Sequence, residues 1–304
     1  MSTTSMIGFA PGRRRAGVFS RATFLTAMAL AIIPATNASA QAADPNPGAL
    51  TFSGAFDVPT LYYFRGLRQE VDPKLTMWPY ADLKIDLMSG TGGLKSTAIN
   101  FGVWNSLHTG TSGTGGGSSK LHYEEDFYAA LTFGFARSVN FTTQWTSYTS
   151  PNAGFSTVKE ILFKVSQGSK YAPYGLVGFE LDTAPGVGQA DGGAKAGTYA
   201  EVGIGPSWPL GGKGVTVGVP VKLGFSLKDY YELAGVDHKF GYLDVGALFT
   251  FPFTSVPSRF GTWNFHAGAD GFAFGDTTEA FNADKDGKTH KGAVTAVFGI
   301  GVSY

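Results

Sequence analysis

The chain ends with "AVTAVFGIGVSY", residues 293–304, and this stretch alternates between two kinds of side chain. Its even-numbered positions are apolar or aromatic and finish with Phe298, Ile300, Val302 and Tyr304, whereas its odd-numbered positions are mostly small. Successive residues of an extended strand point to opposite faces. The stretch therefore predicts a strand with one apolar face, and that face requires apolar surroundings.

The same two-residue alternation recurs along most of the chain, while helical periodicity is nearly absent. In "ADLKIDL", residues 81–87, Leu83 and Ile85 alternate with Asp82, Lys84 and Asp86. Gly, Pro, Ser and Asp interrupt the pattern and divide it into segments. Twelve segments are predicted, at roughly 49–65, 76–88, 96–107, 121–136, 140–149, 156–166, 173–183, 197–208, 214–227, 239–252, 261–274 and 292–304.

The connections between these segments alternate between short and long. "SGTGG" and "PLGGKG" are short, whereas "TGTSGTGGGSSK" and "DTTEAFNADKDGKTH" are long and polar. An even number of strands with this alternation is typical of a transmembrane β-barrel, in which closure leaves no unpaired strand edge in lipid. The sequence predicts an all-β fold: a transmembrane antiparallel β-barrel of about 12 strands, with short periplasmic turns and long external loops. A secreted β-sandwich also alternates and is the other fold considered.

One residue does not fit a closed barrel easily. Pro220 falls in the middle of "VTVGVPVKLGFSL", where a strand needs a backbone N–H that proline lacks. We expect a β-bulge at this position, since a bulge accommodates a missing donor.

The N-terminus has the features of a secretory signal peptide. Arg13–Arg15 and Arg21 precede the apolar "TFLTAMALAIIPA", and Ala38-Ser39-Ala40 provides an A-x-A cleavage site. We assign residues 1–40 to this signal and residues 41–304 to an outer-membrane barrel of a Gram-negative bacterium. Loss of residues 1–40 removes four arginines and no acids, which leaves 19 basic and 23 acidic residues and a net charge of −4.

This charge balance and the residue types exclude several classes of function. A nucleic-acid partner would require a basic patch, which an acidic mature chain does not suggest. The chain contains no cysteine, so neither disulfides nor thiolate zinc sites can form. The five histidines show no metal-ligand spacing. We therefore predict no cofactor, no metal site and no nucleic-acid partner.

The polar face of the alternating segments is predicted to point into the lumen. Arg65 is expected at the rim, and acidic residues outnumber basic ones along this face, so an open lumen would favour cations. The predicted pore-lining residues are Asp82, Lys84, Asp86, Glu124, Asp126, Glu160, Lys164, Glu180, Glu201, Lys222, Asp244 and His266.

Two stretches resemble known outer-membrane proteins. The terminal strand, with Phe298, Ile300, Val302 and Tyr304, resembles the signal that the barrel-assembly machinery recognises. "YYFRGLRQ", residues 62–69, resembles the first-strand "Y-x-F-R-G-x-x-Q" motif of the TorF-like family of Gram-negative porins. This second resemblance implies a barrel and a channel, and it implies no catalytic residues.

The predicted function is a passive outer-membrane channel for small hydrophilic solutes or ions, surrounded by lipid. Selectivity in such a channel comes from lumen charges rather than from catalysis. One alternative is a barrel with a plugged lumen that acts as a receptor, an adhesin or a structural protein. Another is a lipid hydrolase at the rim, for which His108 with Ser112 and His122 with Ser119 are the nearby Ser/His pairs. "NADKDG", residues 282–287, has the spacing of a calcium loop but places Ala293 where a glutamate is expected.

Overall fold

The computed structural model describes residues 48–112, 120–181 and 196–304, and within these ranges the strands form one closed antiparallel barrel. The signal segment predicted over residues 1–40 lies outside the described residues. Each strand pairs with the next along the chain, and the last pairs with the first. The prediction of an antiparallel barrel of about twelve strands is confirmed. The barrel strands are β1 (Leu50–Pro59), β2 (Thr76–Ser89), β3 (Leu94–His108), β4 (His122–Phe135), β5 (Val139–Thr149), β6 (Val158–Gln167), β7 (Tyr174–Glu180), β8 (Thr198–Ile204), β9 (Val221–Lys228), β10 (Phe240–Pro252), β11 (Thr262–Phe274) and β12 (Gly292–Ser303).

The terminal strand β12 closes the barrel against β1. Phe56 lies opposite Ile300, and Val58 lies opposite Phe298 in this pairing. The ladder continues one residue past β12, because the backbone amides of Phe52 and Tyr304 each donate to the carbonyl of the other at 2.7 Å. Strand β12 also pairs with β11 over twelve positions. Both edges of the terminal strand are therefore satisfied.

The connections at the two ends of the barrel differ. The end that carries both termini of the sheet has the turns 90–93, 136–138, 168–173, 210–215 and 253–261. The opposite end has the connections 60–75, 109–121, 150–157, 181–197, 229–239 and 275–291. The long connections contain three short strand pairs and one helix: Tyr63–Phe64 with Leu67–Arg68, Glu70–Asp72 with Thr111–Ser112, Glu232–Leu233 with Val236–Asp237, and the helix α1 (Asp276–Phe281). The short turns contain the 3-10 turns Ala136–Ser138 and Ser258–Phe260.

The bulge expected at Pro220 is not present. Short strands Ser207–Pro209 and Thr216–Gly218 pair with each other and continue β8 and β9 toward the short turn, and Pro220 lies between Thr216–Gly218 and β9. The register between β9 and β10 is unchanged across it, since Val221 lies opposite Val245 and Gly218 lies opposite Leu248. The N–H of Gly246 donates to the Pro220 carbonyl at 2.9 Å. The proline therefore costs the ladder one donor without shifting the strand.

The "YYFRGLRQ" motif does not lie in the first strand, which corrects that expectation. Strand β1 ends at Pro59, and residues 62–69 form a separate tight hairpin. Its turn residues Arg65 and Gly66 have φ angles of 45° and 79°. Two successive positive φ angles are characteristic of a type I′ turn, which an Arg-Gly pair permits because glycine has no Cβ. We call residues 62–69 the lumen hairpin.

The two faces of the barrel wall differ in polarity. Large apolar residues on the outer face are exposed, among them Phe52, Phe101, Phe127, Phe298 and Ile300. Residues of the opposite parity are mostly polar or small and are largely buried. In the part of the chain that the structure describes, no helix is long and apolar enough to cross a membrane.

Candidate functional site in the barrel lumen

The lumen hairpin fills one half of the barrel interior, at the end with the long connections. Tyr62, Phe64 and Leu67 are each exposed by 2% or less. Tyr62 packs against Trp78 of β2 and Trp104 of β3, with ring centroids 5.1 and 5.5 Å away. On the other side of the barrel, Tyr63 packs against Phe272 and Phe274 of β11. The hairpin thus spans the lumen from one wall to the other.

Arg65, at the tip of the hairpin, is bound to the barrel wall. This corrects the expectation from the sequence that it lies at the rim. Its Nη1 and Nη2 atoms donate to Oε2 and Oε1 of Glu160 at 2.7 and 2.8 Å. The guanidinium carbon lies 4.0 Å from the ring centroid of Tyr199. Such a forked, stacked arrangement uses the planar geometry of arginine, which lysine cannot reproduce.

Other contacts secure the hairpin backbone. The Nδ2 atom of Asn282, in the connection between β11 and β12, donates to the Gly66 carbonyl at 2.7 Å, and the N–H of Arg68 donates to Asn282 Oδ1 at the same distance. The Tyr231 hydroxyl donates to the Arg65 carbonyl at 2.8 Å. A side chain at Gly66 would also collide with the ring of Tyr242. The hairpin is therefore fixed by two of the long connections as well as by the wall.

A carboxylate at the base of the hairpin completes its attachment. Glu70 is fully buried and accepts hydrogen bonds from the hydroxyl of Thr76 and the N–H of Tyr62. Burial raises the pKa of the Glu70 carboxyl, while these hydrogen bonds oppose the rise. The hydroxyl of Tyr123 donates to Gln69 at 3.0 Å.

The predicted pore-lining residues lie on the inner face of the wall, opposite the exposed apolar residues. Asp82 accepts hydrogen bonds from Tyr128 and Asn100, both at 2.8 Å, and Lys84 and Asp86 form an ion pair of 2.7 Å. The remaining contacts are those of Glu124 with Tyr62, Glu160 with Arg65, Glu180 with the amide of Gly197, Lys164 with the ring of Tyr174, Lys222 with Asp244, and His266 with Asp57, while Asp126 is buried.

Glu201 is at the centre of a tyrosine cluster below the hairpin. Its Oε1 accepts a hydrogen bond from Tyr174 at 2.6 Å, and its Oε2 accepts from Tyr199 and Tyr242 at 2.5 and 2.7 Å. Three tyrosine hydroxyls thus donate to this carboxylate and stabilise its negative charge. Several lumen acids are therefore bound to neutral donors and do not face open water.

The other half of the lumen contains a cavity of about 540 Å³ at the end with the short turns. The lumen hairpin is not among its lining residues. Four cationic residues line it: Lys95, Arg137, Lys164 and Lys222. None of the described residues that line it is Asp or Glu. The described lining residues thus include four bases and no acid, in contrast to the acidic excess that the sequence predicts for the inner face as a whole.

Within the described residues, the histidines considered for hydrolysis contact residues other than the proposed serines. His108 Nε2 lies 2.6 Å from Ser106 Oγ rather than beside Ser112, and His108 Nδ1 lies 3.9 Å from a Glu70 oxygen. Ser106 is fully buried and also accepts a hydrogen bond from the indole of Trp78. Because Ser106 has no accessible surface in this conformation, its hydroxyl is not placed to attack an ester.

Of the second pair, Ser119 lies outside the described residues. His122 is hydrogen-bonded to Asn105 at 2.9 Å and lies 3.7 Å from Glu125. Neither partner is a serine, the nucleophile that a lipid hydrolase of the kind considered requires.

The loop with calcium-like spacing is organised by its own backbone. Asp284 Oδ1 accepts hydrogen bonds from the N–H groups of Asp286 and Lys288, at 2.9 and 3.0 Å. These bonds and that from His290 lower the pKa of the Asp284 carboxyl. Asn282, the first residue of the motif, is instead bonded to the lumen hairpin. Across residues 48–112, 120–181 and 196–304, no group of three or more His, Asp or Glu side chains is arranged to hold a metal.

Two parts of this site are not predicted from the sequence. The segment pattern places the start of the lumen hairpin in the first strand, although "FRGL" carries a turn signal between two short β-prone pairs. Arg137 and Lys95 of the cavity were not identified, because they lie in or beside a turn rather than in a regular alternating strand.

No family model and no curated protein match the chain. Similar solved structures include the outer membrane phospholipase A from Escherichia coli, which is 9% identical with a TM-score of 0.46 and matches over 82% of this chain and 92% of that chain. The β domain of the Bordetella autotransporter BrkA is 11% identical with a TM-score of 0.39, over 84% and 99%. The NanC porin has the same identity, TM-score and coverages. At this level of similarity the matches carry no argument about function.

Proposed function

We propose that the protein resides in the bacterial outer membrane. The support is the closed barrel with exposed apolar side chains on its outer face, since lipid is the surroundings in which such a surface is stable. The short turns and the chain termini then face the periplasm, and the long connections face the outside. The terminal strand, with Phe298, Ile300, Val302 and Tyr304, is proposed as the contact for the barrel-assembly machinery.

Within that membrane we infer a passive channel for small hydrophilic solutes or ions, closed by the lumen hairpin in the conformation described here. The observation that carries this proposal is the cavity of about 540 Å³ beneath a hairpin that packs across the lumen. The wall around it carries many ionisable residues. Buried charges are costly, and apolar side chains would fill a static core at lower free energy.

A plugged barrel that acts as a receptor, an adhesin or a structural protein is the second candidate. The observation that favours it is the near-complete burial of the hairpin residues Tyr62, Arg65 and Leu67. A channel requires the hairpin to leave or shift, whereas a plug does not.

Single-channel recording in planar bilayers tests the proposal. We compare three barrels: the parent, a variant in which a short Gly-Ser linker replaces the lumen hairpin, and a control variant shortened at the exposed loop tip 285–287. We expect a larger conductance only for the hairpin variant, because only that change clears the lumen. If no folded variant conducts, the channel proposal is wrong and the plugged barrel is favoured.

A further inference from the structure

The cationic cavity at the periplasmic end is not explained by a general solute channel. We propose that it binds a small organic anion carrying carboxylate or phosphate groups. The charges around the cavity share one sign: it is lined by Lys95, Arg137, Lys164 and Lys222, and no acid is found among the described lining residues.

Two of these cations are available to a ligand. Lys222 is paired with Asp244 at 2.8 Å, and the ammonium of Lys95 donates to the Thr91 carbonyl at 2.7 Å. The Lys164 ammonium lies 4.6 Å from the centroid of the Tyr174 ring, and neither it nor Arg137 has an ion-pair partner within the described residues. A cleft lined by one sign of charge concentrates ions of the opposite sign.

The nearby lumen acids do not cancel this field fully. Glu201 lies two strands from Lys164, with Leu176 of β7 between them. Both of its carboxylate oxygens accept hydrogen bonds from tyrosine hydroxyls. Because those donors already stabilise its charge, Lys164 is not required as its counter-ion.

The size and the walls of the cavity specify an organic anion. A volume of about 540 Å³ exceeds that needed for a bare inorganic ion and lies within the range of roughly 300–1,000 Å³ usual for small-molecule sites. Pro220 supplies apolar wall, and the ring of Tyr174 lies beside Lys164. A ligand with a carbon skeleton between or beside its acidic groups would use both kinds of surface.

This inference deepens the proposed function, on which it rests for the passage of the anion. Binding itself does not depend on conduction, because the cavity lies beneath the closed hairpin. A site for an anion also differs from the preference for cations that the excess of acidic residues along the strands predicts for the lumen.

Calorimetry on the folded, full-length barrel in detergent tests the site. Isophthalate, a rigid aromatic dicarboxylate, serves as the ligand, and its neutral diamide serves as the charge control. We expect saturable binding of isophthalate alone, weakened by salt. Lys164→Gln and Arg137→Gln should each reduce the affinity about tenfold, since each removes a charged contact. The matched control is Lys159→Gln, on the same strand β6 but on its exposed outer face, which should retain the parental affinity.

Several outcomes would overturn the inference: no saturable binding to the parent, equal binding of the diamide, or parental affinity in the folded Lys164→Gln variant. The failures of the two proposals remain distinguishable. A barrel that conducts but does not bind isophthalate rejects the site alone. A barrel that binds isophthalate with the predicted variant dependence but never conducts supports the site and rejects the channel.

Discussion

Arg65 and Glu160 form a doubly hydrogen-bonded ion pair inside the barrel, although 95 residues separate them in the chain. Their side chains are each 1% exposed, and the two bonds measure 2.7 and 2.8 Å. Glu160 belongs to the wall strand β6, whereas Arg65 belongs to the turn of the lumen hairpin. The pair therefore joins the element that fills the lumen to the wall that surrounds it.

Replacing Arg65 by alanine should loosen the hairpin. The change leaves the Glu160 carboxylate buried without its cation, and breaking a buried pair in this way costs about 3–5 kcal/mol. We expect a lower unfolding temperature of the refolded barrel and more frequent open events in planar bilayers.

Arg68→Ala is the matched control, because the Arg68 side chain lies in the same hairpin and donates to the backbone carbonyls of Glu70 and Val71. It should change both measurements much less. Equal effects of the two substitutions would show that the ion pair does not hold the hairpin.

The barrel could be predicted from the sequence because its determinant is local. Alternation within each segment fixes which residues face outward, and the observed β2 and β10 differ from their predicted segments by one residue at one end. Pro220 was misjudged for a related reason. A single missing donor can be tolerated when the residues on either side keep their register, as Gly218 and Val221 do.

The interior of the lumen could not be predicted in the same way. Whether Arg65 points outward or into the barrel depends on Glu160, Tyr199 and Tyr231, which lie far from it in sequence. The distribution of charge around the cavity likewise depends on which acids are covered by tyrosine hydroxyls, as Glu201 is. The two-residue alternation of the sequence predicts neither the direction of Arg65 nor the distribution of charge around the cavity.

Tyr304 should matter for assembly of the barrel. Its backbone forms two hydrogen bonds with Phe52, and its side chain is 44% exposed on the outer face. Tyr304→Asp should lower the yield of heat-modifiable barrel in the outer membrane, because a charge replaces an aromatic ring at the membrane interface. Tyr304→Phe is the control and should keep the parental yield. An unchanged yield for the aspartate variant would remove the proposed role of this residue.

The proposed orientation can be measured with single cysteines, since the chain has none of its own. Asp286 lies in the connection 275–291, whereas Thr91 lies in the turn between β2 and β3 at the opposite end, and both are exposed. A membrane-impermeant maleimide added to intact cells should label Asp286→Cys and leave Thr91→Cys unlabelled. Permeabilised cells should give labelling of both. The reverse pattern in intact cells would invert the topology.

The Ser106–His108 pair is expected to be structural. Ser106 accepts from Trp78 at 3.0 Å and is bonded to His108 at 2.6 Å, so Ser106→Ala leaves a partly buried donor without its acceptor. For a fully buried group such a loss costs about 1–3 kcal/mol, and the Trp78 indole is only partly buried, so the loss here is expected toward the lower end of that range. We expect a lower unfolding temperature and no change in phospholipid hydrolysis, which should stay at the background of a protein-free detergent control. Hydrolysis by the parent that Ser106→Ala abolishes would instead establish an enzyme.

Ion selectivity tests whether current passes the inner face of β2. Asp82 accepts from Tyr128 and Asn100, while Asp86 is paired with Lys84 at 2.7 Å and is partly exposed. Replacing both acids by asparagine removes two negative charges and leaves Lys84 without its counter-ion. In a barrel with the lumen hairpin shortened, the reversal potential in a salt gradient should therefore shift toward anions.

The opposite shift is expected when positive charge is removed from the lumen. Lys84→Gln and Lys164→Gln should each move the reversal potential toward cations, because they leave the neighbouring carboxylates in place. Lys159→Gln, on the outer face of β6, should leave it unchanged. If the acidic and the basic substitutions shift the reversal potential in opposite directions, the current passes close to the acids of β2 and to the lysines. A conducting barrel whose reversal potential ignores all of these substitutions would show that ions take a path away from these residues.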